Sequence, residues 1–317
     1  MNNRIIWIDM LRGICMILIL WFHTEMYFAD KDIIPYNIYV ANSLTVFYFI
    51  SGYLFYHHNT FSFYYKIKSI IRGLIIPYFF FTCLLVIPKT HINHIPFMDG
   101  VIKILIGNGS WFITSLITAE IIFSIILYLN KKWVLHILPI IAIISAYFLT
   151  ETAISMHYNY WNFHNALIGV FFLYFGYHYH QYESYFSFSL FKIMFIFLIF
   201  FITKNVEFIF DISLLLDPVL ISNYPIFIVD TVSCILFLVP IVKNIPHIKW
   251  LSWTGKHSLV YYFFCGAIPM SVTKTIGLTG IIYNNNYILI PIVFIIVYLL
   301  TTLVVYVSYK YFSFILR

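Results

Sequence analysis

The chain has 317 residues, of which 62% are apolar and 9% charged, with a formal net charge of +6 and a mean hydropathy of +0.91. Soluble domains carry about 25% charged residues, so this balance excludes a water-soluble globular protein and places the chain in a bilayer. The length fits about ten spans of roughly 20 residues with short connections, which leaves little sequence for a separate soluble domain and predicts one membrane domain over 1–317.

Apolar segments fall at 8–28, 38–57, 70–88, 110–129, 133–150, 164–181, 189–204, 224–243, 257–273 and 286–309. The expected fold class is therefore all-α, a polytopic membrane helical bundle with about ten transmembrane helices. Pro77 and Pro88 interrupt the third segment, and Gly266 and Pro269 the ninth.

In the first segment, Arg12 and His23 are separated by ten residues. Eleven helical steps of about 100° return the two side chains to within roughly 20° of one face, about 16 Å apart along the axis. Ionisable side chains inside a span are costly and usually face a protein interior or a wet cavity. The pair reads either as a functional stripe or as a cytoplasmic anchor with a polar residue near the far interface. Asp9 lies one helical turn before Arg12 and is placed to hold its guanidinium. Glu25 projects roughly 200° from His23 and is read as an interfacial residue. Arg4 and Arg12 precede the apolar run as in a signal peptide, but no small-residue cleavage site follows, so a retained first helix is expected.

The second segment contains Ser51-Gly52 within an aromatic run, where small residues permit close helix approach. Next comes the basic cluster Lys66, Lys68 and Arg72, ahead of Pro77-Tyr78. It reads as a topology determinant or as a site for a polyanionic cytosolic ligand, because ammonium and guanidinium groups pair with phosphates. Trp111 opens the fourth segment at an interface, a position typical of an aromatic belt. Glu120 and Asp230 lie at depth, and each requires a partner or a proton.

Four cysteines stand singly in apolar stretches and read as small buried hydrophobes, with no paired spacing of the metal or redox kind. Neither His57-His58 nor His178 and His180 place two imidazoles on one helical face, so no metal is expected. The late run Trp253-Thr254-Gly255-Lys256-His257-Ser258-Leu259 opens the ninth segment. With the N-terminus inside, thirteen of the 18 Lys and Arg residues fall on the cytoplasmic side. Both termini are then cytoplasmic. Lys31, Lys89, Lys103, Lys204 and Lys274 fall outside, with Glu207 also assigned to an outer loop.

Five features in this order resemble acyltransferase family three, the integral-membrane acyltransferases that include polysaccharide O-acetyltransferases and fucose 4-O-acetylase-like enzymes. They are Asp9-Met10-Leu11-Arg12-Gly13 through His23, Ser51-Gly52, the basic run before Pro77-Tyr78, Trp111-Phe112-Ile113, and Gly255-Lys256-His257-Ser258-Leu259 before Tyr261. Many relatives carry a histidine a few residues after the last element where this chain has Cys265, so that histidine's role is not transferred. The resemblance implies a single membrane acyltransferase domain over 1–317, multi-pass in a bacterial inner or plasma membrane. It implies transfer of an acyl group, usually acetyl from acetyl-CoA, to a hydroxyl of a surface polysaccharide or its lipid-linked oligosaccharide precursor.

On that reading His23 is general base or acyl-accepting nucleophile, Arg12 a fixed cation toward the donor, and Asp9 its support. Arg72, Lys68 and Lys66 are expected to hold the phosphates of the acyl-CoA donor. Trp111 and Ser51 are assigned to the acceptor. The other partner is the lipid bilayer, and no nucleic acid is expected. A transporter or flippase of a surface-glycan precursor is the alternative that composition alone equally allows.

Overall fold

The computed structural model describes residues 5–56, 61–92, 95–152, 158–186 and 189–316. Arg4, His57, His58 and Arg317 lie outside the described residues. All ten predicted apolar segments coincide with helices. Among the described residues, seven helices qualify by length and apolarity to cross a membrane, or eight when one bent pair counts as a span.

The chain divides into two compact units. The first comprises 1–43 and 235–314. It is built on α1 (Ile6–Phe28), a helix with no internal proline. Ile8, Leu11, Cys15 and Ile19 recur every three or four residues and form its buried stripe. Against α1 pack α11 (Lys249–Lys256), α12 (Ser258–Phe264), α13 (Ala267–Leu278) and α14 (Leu289–Tyr311). The ninth predicted segment is the bent pair α12 and α13, which meet at 46° around Cys265-Gly266, where the sequence placed its interruption.

The second unit comprises 44–234 and 315–317. Its elements in chain order are the latter part of α2 (Tyr36–Phe55), α3 (Phe63–Ile70), α4 (Ile76–Ile92), α5 (Phe97–Leu105), α6 (Trp111–Tyr128), α7 (Lys132–Leu149), α8 (Phe163–Gln181), α9 (Leu190–Ile209) and the start of α10 (Tyr224–Asn244). A π-helical turn over Ile71–Ile75 joins α3 to α4. Helix α8 packs between α6 and α7, α3 packs on α6, and α5 folds back on α4. Between α9 and α10 an antiparallel hairpin pairs Leu214 with Ile221 and Leu216 with Val219 around a cis Asp217-Pro218 bond. Those two three-residue strands are the only ones among the described residues.

Three cysteines are buried as expected, whereas Cys83 is exposed. Glu207, expected in an outer loop, lies with Lys204 on α9, which runs five residues beyond the predicted end of that segment. The helix can hold them because both side chains are neutralised internally, as described below.

Candidate functional site

In the first unit, α1 carries Asp9, Arg12 and His23 without a break. Regular helical geometry therefore keeps Arg12 and His23 on one face about 16 Å apart. Both are half-buried, and Asp9 is buried. His23 lies edge-on to Phe22 with ring centroids at 5.6 Å and stacks toward Tyr27 at 6.3 Å.

Two stretches distant in sequence meet at this helix. A Cβ on Gly255 would fall on the carbonyl oxygen of Asp9 and 2.6 Å from the Gly13 nitrogen, so α11 and α1 touch backbone to backbone. The run Gly255-Lys256-His257-Ser258 is thereby seated against Asp9–Gly13. His257 in turn bonds through Nδ1 to the Trp253 carbonyl at 2.7 Å, with its ring 4.3 Å from that of Tyr309.

Glu25 departs from its sequence reading. It is 1% exposed and accepts hydrogen bonds from Trp21 Nε1 at 2.6 Å, Ile33 N at 3.3 Å, Ile34 N at 3.4 Å and the Tyr39 hydroxyl at 3.4 Å. Helical projection placed it away from His23 but gave no account of the loop over 29–35 returning across it.

The second unit contains a separate polar centre. Lys66 Nζ lies 2.9 Å from Glu120 Oε2, and the Ser51 hydroxyl donates to Glu120 Oε1. The ammonium also sits 3.6 Å above the Phe55 ring centroid. Glu120 thus has the partner its depth required. Beside Ser51, a Cβ on Gly52 would fall on the Leu173 carbonyl, which bears out the packing role of the small pair against α8.

The basic cluster is divided by its geometry. Lys66 turns inward to Glu120, whereas Lys68 and Arg72 are exposed, the former with Nζ 5.8 Å from the Tyr64 ring. Arg72 sits in the π-helical turn, a rare geometry that is enriched at functional sites. Residue spacing grouped the three cations without showing that one of them would be consumed by an internal carboxylate.

Trp111 is half-buried at the first position of α6. The backbone just before it is fixed by Asn162, whose side-chain amide donates to the Gly107 carbonyl at 3.0 Å and to Thr114 Oγ1 at 2.8 Å. Trp161 N reaches the Ile106 carbonyl at 2.7 Å. Sequence reasoning missed this knot. The signal available was the polar pair Asn162 and Asn165 flanking His164 at the head of an apolar segment.

Asp230 is also partnered. Lys204 Nζ lies 2.7 Å from Asp230 Oδ2 and 3.0 Å from Glu207 Oε2. No group of three or more His, Cys, Asp or Glu side chains arranged to hold a metal occurs among the described residues.

No curated protein and no solved structure matches the chain. A family model described as an acyltransferase domain matches residues 5–310, a stretch that takes in the Arg12 and His23 helix, the Ser51 and Glu120 centre and the Gly255 element alike. The chain therefore belongs to acyltransferase family three, the integral-membrane acyltransferases.

Proposed function

We propose that this acyltransferase moves an acetyl group from acetyl-CoA to a hydroxyl of a cell-surface glycan or its lipid-linked precursor, in a bacterial plasma membrane with both termini cytoplasmic. The observation that carries the reading is α1, an unbroken helix that holds a cation and a titratable imidazole on one half-buried face.

Imidazole suits the chemistry because its ordinary pKa lies near neutrality. In the proposed reaction His23 takes the proton of the acceptor hydroxyl as the oxygen attacks the thioester carbonyl. The carbon–sulfur bond then breaks, the proton passes to the departing sulfur, and an ester and free CoA result. Arg12 offers a fixed cation to the donor, and Asp9, one turn away, steadies it. Lys68 and Arg72, both exposed, hold the CoA phosphates. Lys66 serves to hold Glu120 and, through it, Ser51. Trp111 and Ser51 lie toward the acceptor, with the indole face offered to a sugar ring.

The test replaces His23 and Arg12 separately with Ala and measures ester-linked acetyl on the surface glycan by alkaline release and mass spectrometry. Loss of His23 should reduce transfer about 10²- to 10⁴-fold. Unchanged acetylation together with altered glycan export would overturn the proposal in favour of a transporter.

A further inference from the structure

We infer that Asn162 is a positioning residue for the acceptor, acting through Trp111, a step that rests on the contact between Trp111 and the acceptor proposed above. Asn162 is buried and joins two loops distant in sequence. Its amide nitrogen donates to the Gly107 carbonyl, four residues before Trp111, at 3.0 Å, and to Thr114 Oγ1, three residues after it, at 2.8 Å. Thr114, fully buried, has its hydroxyl 2.7 Å from that same Gly107 carbonyl and 2.9 Å from the carbonyl of Trp111 itself. One amide therefore fixes the backbone on both sides of the indole.

The clamp is held against backbone preference. Trp161 and Asn162 both adopt left-handed conformations, with φ of 52° and 50°. Asparagine tolerates that region, whereas a residue as bulky as tryptophan enters it only when its surroundings over-determine it. Here Trp161 N donates to the Ile106 carbonyl at 2.7 Å, Thr118 Oγ1 donates to the Trp161 carbonyl at 3.0 Å, and the indole lies 5.9 Å from the Tyr78 ring. Gly107 lets the two backbones touch, since a Cβ there would fall 2.6 Å from the Trp161 Cα. Residues held in sparsely populated conformations cluster at active sites and ligand clamps, where the strain serves pre-organisation.

The clamped turn lies beside regular helix. Phe63–His91 is one candidate span, Tyr78 stands midway along it, and the Tyr78 hydroxyl donates to the Ile104 carbonyl at 2.7 Å. A Cβ on Gly109 would lie 3.1 Å from that hydroxyl, so the turn over 106–110 packs against the middle of the span. Non-helical backbone beside the middle of a span is tolerated only where protein buries it or where it lines a wet cavity. Packing alone is served by continuous helix; a turn clamped there serves to aim the side chain that follows it, which is Trp111 at the first position of α6.

The test measures transfer of labelled acetyl from acetyl-CoA to lipid-linked glycan extracted from the native cells, using the full-length protein in nanodiscs and varying each substrate in turn. Asn162→Gly keeps the left-handed backbone accessible and removes only the amide, so it separates the clamp from folding. It should raise the KM for the glycan about tenfold and leave kcat and the KM for acetyl-CoA within about twofold. Thr114→Val removes the other end of the clamp and should act in the same direction, which keeps the test open should Asn162→Gly fail to fold. In a Trp111→Ala background, Asn162→Gly should add nothing to the glycan KM, because both changes act on one contact. A fall in kcat with the glycan KM unchanged, a further rise in the Trp111→Ala background, or no effect of Trp111→Ala on that KM overturns the inference. Unchanged kinetics in Asn162→Gly, with transfer still lost in His23→Ala, overturns this inference and leaves the transfer reaction standing. Absence of transfer by wild type overturns the proposed function and this step with it.

Discussion

Lys66 reaches Glu120 at 2.9 Å while Ser51 holds the other oxygen of the same carboxylate, so α2, α3 and α6 are joined at one buried acid. Breaking a buried pair from one side leaves an uncompensated charge and costs about 3–5 kcal/mol. Lys66→Met should therefore lower the thermal stability of the detergent-purified protein steeply, toward the low end of that range because the lysine side chain is 23% exposed. Lys66→Met combined with Glu120→Gln should recover most of the loss. Equal destabilisation by the single and double variants would show that the pair is not coupled.

The junction of α1 and α11 makes a steric prediction. A methyl at Gly255 meets backbone atoms of Asp9 and Gly13, which cannot rotate away as a side-chain tip would. Overpacking of this kind costs about 1–3 kcal/mol. Gly255→Ala should reduce both the melting temperature and the acyl transfer assigned to the α1 face. Gly277 on α13 has nothing within 4 Å of its Cβ position, and Gly277→Ala should be neutral or stabilise by up to about 1 kcal/mol. Thermal melts of the two variants side by side check the contrast.

How much of this was legible beforehand divides along a physical line. Helical segments follow from apolar runs whose length the bilayer fixes, and the single face shared by Arg12 and His23 follows from helical periodicity alone. The break near Gly266 was visible because glycine and proline act locally. Partners were not visible, since a period of 3.6 residues states which way Glu120 or Asp230 points along its own helix and nothing about what arrives opposite. The same reason separates Lys66 from Lys68 and Arg72: adjacency in sequence grouped them, and only the approach of α6 to α3 decides which one turns inward. Glu25 was misread because its partners come from a loop, whose path no periodicity encodes.

Glu25 gathers four donors from α1, α2 and the connection between them. Hydrogen bonds to a charged acceptor contribute about 1.5–3 kcal/mol each when made in isolation, and they are not additive. Glu25→Gln puts an amide where two acceptor oxygens stood, and should cost about 2 kcal/mol. Hydrogen exchange at Ile33 and Ile34 should accelerate in the variant while exchange in the middle of α1 stays unchanged. Unaltered protection at those two amides would mean that the loop is held by something other than this carboxylate.

Lys204 serves two acids at once, at 2.7 Å to Asp230 and 3.0 Å to Glu207, whose side chains are both 0% exposed. Its removal leaves two carboxylates close together with no shared cation, a worse electrostatic state than removal of either acid. Lys204→Met should therefore be the most destabilising single change in this cluster, at about 3–5 kcal/mol. Asp230→Asn should cost less, because Lys204 keeps Glu207. The triple change Lys204→Met, Glu207→Gln, Asp230→Asn should recover stability toward wild type, since uncharged groups of similar shape remove the desolvation burden along with the attraction. Yield of monodisperse protein and its melting temperature in one detergent rank the three variants. A triple variant no more stable than Lys204→Met would show that packing around the lysine stem, rather than charge balance, holds α9 to α10.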